Sequence, residues 1–438
     1  MVQVTTEKLQ QIFDAQTAYQ WDMRLTTAEE RIALLTRLKE GMLTRLPQFI
    51  EASQRDYITP ATIAEHQVYA VIEAIDHAVA NLAEWMQPEF VEQPANGEAY
   101  ILYEARGRVC VLGTWNSPMS VLIHPLVEAL AAGNCVVLKP SEFNPSYNAV
   151  LQELIDDVFE EQQVALVQGE AEVSQQLLQL PFDHFFFTGS PRIGKIVMKE
   201  AAQHLAAVTL ELGGKSPAIV DKGYDPVAAV QQLVFGKVLM SGQFCICPDY
   251  IYVHEDDIVP FVEAYKQVTQ GMLYDNGVLR KEERTQIVNE THYRRLKGLY
   301  EDAIQKGAIV LSGGTFDDDH RLIEPTLLGH ITDNMHIAEE EIFGPLTFVR
   351  AYSDVADVVK QIQERPKPLA LYMFSKDEQF QQDVLKRTSS GGVTINGIAL
   401  HNTHISLPFG GVNNSGLGNF HGIHGFKTFS HSRAVFKA

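Results

Sequence analysis

Cys245 sits in SGQFCICPDY (241–250), between a Gly-Gln turn and Pro248. A loop of that composition exposes backbone N–H groups beside the thiol. Such donors lower a thiol's pKa and stabilise the oxyanion formed when sulfur attacks a carbonyl. A lone cysteine is more often a packing residue, so this one needs partners. Glu211, in LELGGKSP (210–217), is the first candidate. It stands where a strand gives way to a glycine turn, and backbone there can approach a ligand closely. A partly desolvated carboxylate at such a point can act as a general base, although most glutamates are surface residues. Asn116, in GTWNSP after an apolar run, is the second. A side-chain amide at a strand's carboxyl end is placed to donate to an oxyanion; an Asx turn or N-cap is the commoner role.

Other motifs offer phosphate or metal chemistry. FTGSPRIGK (187–195) reads as strand, glycine turn and helix, an element that presents backbone N–H groups and a helix dipole to a phosphate. Gly189 to Lys195 also spells G-x-x-x-x-G-K. The next residue is Ile196, where a P-loop needs Ser or Thr to hold magnesium, so that reading fails. GLGNFHG (416–422) opens as G-x-G, but no strand runs into it and its third glycine is one residue late for the dinucleotide fingerprint. His401, His404, His421 and His424 form two H-x-x-H pairs with no credible ligand set around them, and no metal is expected. They read as surface or hydrogen-bonded loop histidines.

The elements that must position these residues follow from hydrophobic rhythm. Residues 1 to about 87 show helical spacing only, as in Leu35, Leu38, Met42 and Leu46. Residues 88–106 contain Pro88, Pro94 and Gly97 before an alternating stretch, which predicts an extended arm. From 107 the pattern alternates strand and helix: VCVLGTW (109–115), a helix from Pro118 to Ala132 closed by Gly133, CVVLKP (135–140), a helix from Pro145, VALVQG (164–169) and DHFFFTGS (183–190). A second series starts at TLELGGKSPAIV (209–220) and runs through IYVH (251–254), polar helices over 281–306, LTFVRAY (346–352), ALYMFS (370–375) and GGVTIN (391–396). The fold class expected is α/β, with parallel sheets covered on both faces.

Composition bounds the rest. The chain has 438 residues, 45% of them hydrophobic, enough for two large domains with buried cores. A formal charge of −20 repels phosphate backbones and anionic lipid, so neither nucleic acid nor a membrane surface is an expected partner. Four cysteines are too few to staple such a chain, and no leader peptide or membrane span is legible. A reducing cytoplasm is the expected location.

In their order along the chain, Asn116, KPSE (139–142), FTGS (187–190), LELGGKSP (210–217), GQFC (242–245), EEIFGP (340–345) and LPFGG (407–411) resemble the motifs of the aldehyde dehydrogenase superfamily, in its short class 3-like branch. The resemblance runs from EWM (84–86) to SHSR (430–433). It implies two parallel-sheet α/β domains plus a bridging oligomerisation arm: 1–87 and 107–210 binding NAD, 211–425 catalytic, 88–106 and 426–438 the arm of a homodimer. It implies NAD(P)-dependent oxidation of an aldehyde, medium- or long-chain aliphatic or aromatic, to the carboxylic acid. Cys245 is then the nucleophile, Asn116 and the Cys245 N–H hold the oxyanion, and Glu211 is the base that hydrolyses the thioester. Trp115, Lys139, Glu142, Gly189, Ser190, Gly194, Leu212, Glu341 and Phe343 match cofactor-binding positions; Phe409 matches a substrate-pocket position. Glu142 beside the ribose accepts its hydroxyls and repels a 2′-phosphate, so NAD is the expected cofactor, with NADP also usable.

The chain departs from the pattern at Ser117, where the short class has an aromatic, and at Phe244, which replaces a threonine and adds an aromatic wall to the pocket. Cys247 stands where alanine is usual, either as a small buried residue or as a thiol able to capture an oxidised Cys245. Three rival functions are weaker. A CoA-acylating relative lacks the base that Glu211 supplies; a P-loop nucleotidase fails at Ile196; an inactive scaffold has no use for the intact Cys245, Glu211 and Asn116 set. The C-terminal SRAVFKA carries no apolar anchor.

Overall fold

The computed structural model describes residues 4–57, 59–276, 278–281 and 284–438. Four amphipathic helices come first: Thr6–Arg24, Ala28–Thr44, Leu46–Tyr57 and Ala61–Trp85. The second opens with a capping box, in which Thr27 and Glu30 satisfy each other's backbone N–H groups. Arg31, buried on the same helix, donates to the Ala131 carbonyl and lies against Gly133, whose φ is +86°. Gly133 therefore supplies both the left-handed turn and the space for a guanidinium that ties off the helix before it.

The first sheet has six strands in the order Gly416–Leu417, Ala207–Leu212, His184–Gly189, Arg108–Leu112, Cys135–Lys139 and Val164–Leu166. All its pairings are parallel except that of Gly416–Leu417. Cys110 and Leu112 pack into the core beneath the first helix, while Val109 and Val111 enter the core on the opposite face. That alternation is the period-two pleat of a strand buried on both sides. Cys110 and Cys135 are wholly buried and serve as packing. The strand Arg108–Leu112 lies between its two parallel crossovers, so the strand order reverses beside it. A crevice opens at such a switch point outside the strands' carboxyl ends, which is where ligands bind in this architecture.

The second sheet has seven strands in the order Ile309–Ser312, Thr326–Gly329, Leu346–Tyr352, Pro248–His254, Ser216–Val220, Ala370–Phe374 and Gly392–Ile395. It is parallel apart from its first pair. A separate three-stranded antiparallel sheet joins Glu89–Phe90, Glu98–Ala105 and Ser430–Lys437.

Four expectations need correction. The helix over 118–132 starts with a π-turn, Met119–Ile123, and becomes α-helical only at His124–Ala131. Pro125 has no N–H and cannot continue an α-helical ladder through that point. The stretch 209–220 is split between two sheets: Glu211 and Leu212 end a strand of the first, and Ser216–Val220 begins the second. Gly416–Leu417 then returns to the first sheet, although a single catalytic segment was expected over 211–425. The helix over 281–306 is confined to Glu290–Gln305, capped by Asn289; residues 282 and 283 lie outside the described residues. Backbone groups of Thr285, Gln286 and Val288 are instead engaged by the loop that carries Cys245.

Candidate active site

Three consecutive left-handed residues lead into the nucleophile loop: Met240, Ser241 and Gly242 have φ of 50°, 52° and 70°. For the two that carry a Cβ this conformation costs roughly 1–2 kcal/mol each, and the surroundings hold it. Ser241 Oγ donates to the Thr285 carbonyl. Gly242 packs directly on the Gly344 carbonyl, so closely that a Cβ would overlap it. Gln243 anchors the turn. Its Nε2 donates to the Met240 and Gln286 carbonyls at 3.0 and 2.9 Å, and its Oε1 accepts the Val288 N–H at 3.0 Å. The Gln243 carbonyl accepts from Asn116 Nδ2 at 3.1 Å. The chain then turns, with Cys247 N–H bonded to the Phe244 carbonyl, and the Ile246 carbonyl accepts from the Tyr372 hydroxyl.

Cys245 is partly buried at the apex of this turn. Its thiol pKa is pushed up to about 12, first by burial and then by Glu341 and Glu211, whereas the backbone N–H groups of Cys245 and Ile246 act to lower it. Both carboxyls are therefore electrostatic neighbours of the sulfur, and the two N–H groups favour its charged form. Glu211 is buried, and neither of its oxygens has a partner. Burial, followed by repulsion from Glu128, holds its pKa well above the usual carboxylate range. Asn116 is buried beside them, with Oδ1 unpartnered and one Nδ2 hydrogen committed to the loop. An amide nitrogen carries two hydrogens, so one remains for a ligand oxygen. The structure thus brings Cys245, Glu211 and Asn116 into one compartment at the carboxyl ends of the first sheet's strands.

The predicted cofactor positions surround this compartment. Glu341 lies over the Gly213–Gly214 turn so tightly that a Cβ at Gly213 would collide with its carboxylate, and its pKa is pushed up to about 8 by burial and then by Asp249. Phe343 has a φ of +48° and packs edge-on against Trp115, with ring centroids 5.7 Å apart. Gly194 gives its space to the Leu212 side chain, which seats the helix Pro191–Ala201 on the sheet. Gly189 ends the strand before that helix, and the exposed Ser190 caps it. Lys139 is buried at the end of its strand with Nζ 3.3 Å from Glu142. A buried ammonium, a capped helix start and a carboxylate at a switch-point crevice fit an anionic dinucleotide, which Lys139, Glu142, the Ser190 turn and Glu341 would hold. When bound, the dinucleotide supplies the hydride acceptor.

Of the substrate-pocket residues, Phe244 is half-buried beside Cys245. Phe409 is buried and stacks on His421 at 5.3 Å and on His401 at 6.3 Å. His401 and His421 are interior, hydrogen-bonded residues, His401 to Thr394 and His421 to Glu128, whereas His404 is exposed. Cys247 Sγ lies 3.6 Å from the Gly236 carbonyl and 3.7 Å from that of Pro248, which accounts for it as a packed thiol. Sequence reasoning missed Gln243, read there only as part of a turn, and Glu128, whose helix gave no sign of chemistry.

The family model described as "Aldehyde dehydrogenase family" matches residues 2–435. The chain belongs to the aldehyde dehydrogenase family. A rat relative, the dimeric NADP-preferring aldehyde dehydrogenase, is 40% identical over 84% of this chain and 81% of its own length. The 4,4′-diaponeurosporen-aldehyde dehydrogenase of Staphylococcus aureus is 38% identical over 85% of this chain and 81% of its own. The solved structure of Staphylococcus aureus AldH in a substrate-bound state superposes with a TM-score of 0.94 at 34% identity, covering 98% of this chain and 94% of that one. This aldehyde dehydrogenase is thus an NAD(P)-dependent oxidoreductase that takes aldehydes to acids. Among its described residues no helix is long and apolar enough to cross a membrane.

Proposed function

We propose that this aldehyde dehydrogenase oxidises medium- or long-chain aliphatic or aromatic aldehydes by covalent catalysis at Cys245. The sulfur adds to the aldehyde carbon, and the oxyanion is held by the Cys245 N–H and the free Asn116 hydrogen. After oxidation the acyl group remains on sulfur as a thioester. Glu211 takes a proton from water, the resulting hydroxide attacks the acyl carbon, and the acid leaves. One observation carries this reading: a buried carboxyl with both oxygens unpartnered lies in the same compartment as a thiol whose charged form two backbone N–H groups favour. A general base that awaits a water needs such free oxygens. The half-buried Phe244 and the buried aromatic Phe409 favour an apolar substrate body.

Glu142 beside Lys139 supports a preference for NAD, with NADP also accepted. The antiparallel arm supports a homodimer: it ends in the strand Ser430–Lys437, where Phe436 is 61% exposed, and a solvent-facing apolar edge is covered by pairing. The low cysteine content and free thiols suit a reducing cytoplasm.

Rapid-mixing measurements of NADH test the site. Cys245→Ser should abolish NADH formation from a panel of decanal, benzaldehyde and cinnamaldehyde. Glu211→Gln should give one NADH per active site and then stall, because the thioester cannot hydrolyse. Sustained turnover in either variant overturns the corresponding role.

A further inference from the structure

Behind Glu211 lies a second buried carboxyl that the reaction so far leaves without a task. Glu128, on the helix His124–Ala131, is 2% exposed. Its Oε1 accepts the His421 N–H at 2.9 Å and lies 3.3 Å from His124 Nε2, while Oε2 has no partner. The His124 and His421 rings stack with centroids 4.5 Å apart and planes 11° apart. Gly425 leaves room for Oε2, since any Cβ there would overlap it.

Thr209 and Glu211 alternate with Leu210 and Leu212, which pack into the core beneath the first helix, so Thr209 and Glu211 face the other side of the sheet. Phe186 occupies that side and touches Phe420, whose ring also meets His124 and His421. Glu211 and the imidazole–carboxylate group therefore share one face. The polar atoms left without a hydrogen bond there include both Glu211 oxygens, Glu128 Oε2, His124 Nε2, His421 Nδ1 and His401 Nε2. Buried polar atoms without partners are costly, and their concentration marks a place that handles water or protons. Among the described residues no three metal-binding side chains stand together, so a cation does not explain them.

We propose that Glu128, held by His124 and His421, is a positioning residue for thioester hydrolysis: its carboxylate, on the same face of the sheet as Glu211, keeps Glu211 basic enough to take the proton from water. This rests on Glu211 being the base. The water proton goes to a Glu211 oxygen as the water oxygen bonds the acyl carbon. The C–S bond then breaks and its electron pair returns to Cys245. The proton on Glu211 is then released to solvent, which restores the Glu211 carboxylate. Glu128 is the better-held anion of the two, with backbone donors from His421 and Gly422 and with His124 beside it, whereas only burial and Glu128 itself act on Glu211. The titratable groups around Glu128 are Glu211 from the sheet, His124 on its own helix, His421 with its neighbours His401 and His424 from the C-terminal loop, and His77 beyond Gly422; Arg31 binds the far end of the helix at Ala131. Like charge on Glu128 makes Glu211 more basic.

Glu128→Gln keeps the size and an acceptor for the His421 N–H. Its NADH burst should equal the active-site count, while steady-state hydrolysis falls about tenfold because Glu211 becomes the weaker base. Its pH–rate limb should also move to lower pH, because Glu211 loses a like charge. A wild-type hydrolysis rate with an unmoved pH profile overturns the proposal. If Glu128→Gln fails to fold, His124→Gln is measured the same way, and an unmoved profile there overturns it equally. Glu211→Gln separates the two readings. Hydrolysis that survives it removes the base; a stall after the burst, with Glu128→Gln unchanged, removes only the role of Glu128.

Discussion

Replacing Gln243 by leucine tests whether the strained turn before Cys245 is held by one side chain. Gln243 is 1% exposed and bonds three backbone groups. The Met240 carbonyl keeps a second donor, the Gln243 N–H at 3.1 Å. The Gln286 carbonyl and the Val288 N–H lose the bonds that Gln243 supplies. An unpartnered buried backbone group costs about 1–3 kcal/mol, so two cost about 2–6 kcal/mol. The leucine side chain recovers about 1–2 kcal/mol through its apolar burial. A net loss of about 3 kcal/mol is more than a hundredfold in the local opening equilibrium, since every 1.4 kcal/mol is tenfold. Hydrogen exchange read by mass spectrometry on peptides spanning 239–250 and 284–290 measures that opening directly, because Val288 N–H is itself one of the lost donors. Those peptides should exchange about a hundredfold faster while the second sheet's strands stay unchanged, and the first-turnover NADH burst should slow. Exchange within threefold of wild type at these peptides, with an unchanged burst, refutes the bracing role.

Other perturbations read other groups. Glu142→Ala removes the carboxylate beside Lys139; the ratio of kcat/KM for NADP over NAD should rise about tenfold, and an unchanged ratio means that Glu142 does not choose the coenzyme. Glu341 holds its proton up to about pH 8, and only its carboxylate accepts two ribose hydroxyls well. Coenzyme Kd by fluorescence titration should therefore fall as pH rises toward 8, by up to about tenfold per unit, and level off above it; Glu341→Gln should flatten the curve. His184, buried and then disfavoured as a cation by Arg106, has its pKa lowered to about 3. A depressed histidine contributes stability that is complete above its unfolded value near 6.5 and is lost as pH falls toward 3, about 3 kcal/mol by pH 4.5. Urea unfolding of His184→Gln should lose less stability between pH 6.5 and 4.5 than wild type, and an identical acid slope counts against the assignment.

What the sequence disclosed was local chemistry with a local signature. Runs such as VCVLG and CVVLK announce buried parallel strands because both faces are apolar, and the switch-point crevice follows from their order. Cys245, Glu211 and Asn116 stood out as candidates because each lies at a turn with glycine, proline or a strand end beside it. The errors came from long-range competition. The 284–288 stretch has helix-compatible residues, but its backbone is needed by Ser241 and Gln243, more than forty positions earlier in the chain. His401 and His421 lie among glycines and polar residues that mark a loop, yet Phe409 and Phe420 draw them inward. No spacing rule relates position 128 to positions 421 and 425.

The buried acids explain why such distant contacts matter. Cys245, Glu211, Glu341 and Glu128 all have pKa values raised primarily by burial, which favours the protonated form of each. A thiol in that state is a weak nucleophile and a protonated carboxyl is no base. Each half-reaction therefore needs a specific stabiliser for the charge it creates. For the sulfur and the oxyanion the proposed stabilisers are the N–H groups of the 245–246 turn, which follows the left-handed hook held by Ser241, Gly242 and Gln243. For Glu211 there is no donor, and its nearest electrostatic neighbour is another carboxyl. Two such groups in one dry compartment cannot both ionise freely, so the state of one sets the basicity of the other. The imidazoles and backbone donors around Glu128 place the first negative charge on the residue farther from the acyl group. That leaves Glu211 the stronger base at the position where a water must be deprotonated, and it makes hydrolysis, more than hydride transfer, the step most sensitive to changes at 128, 124 and 425.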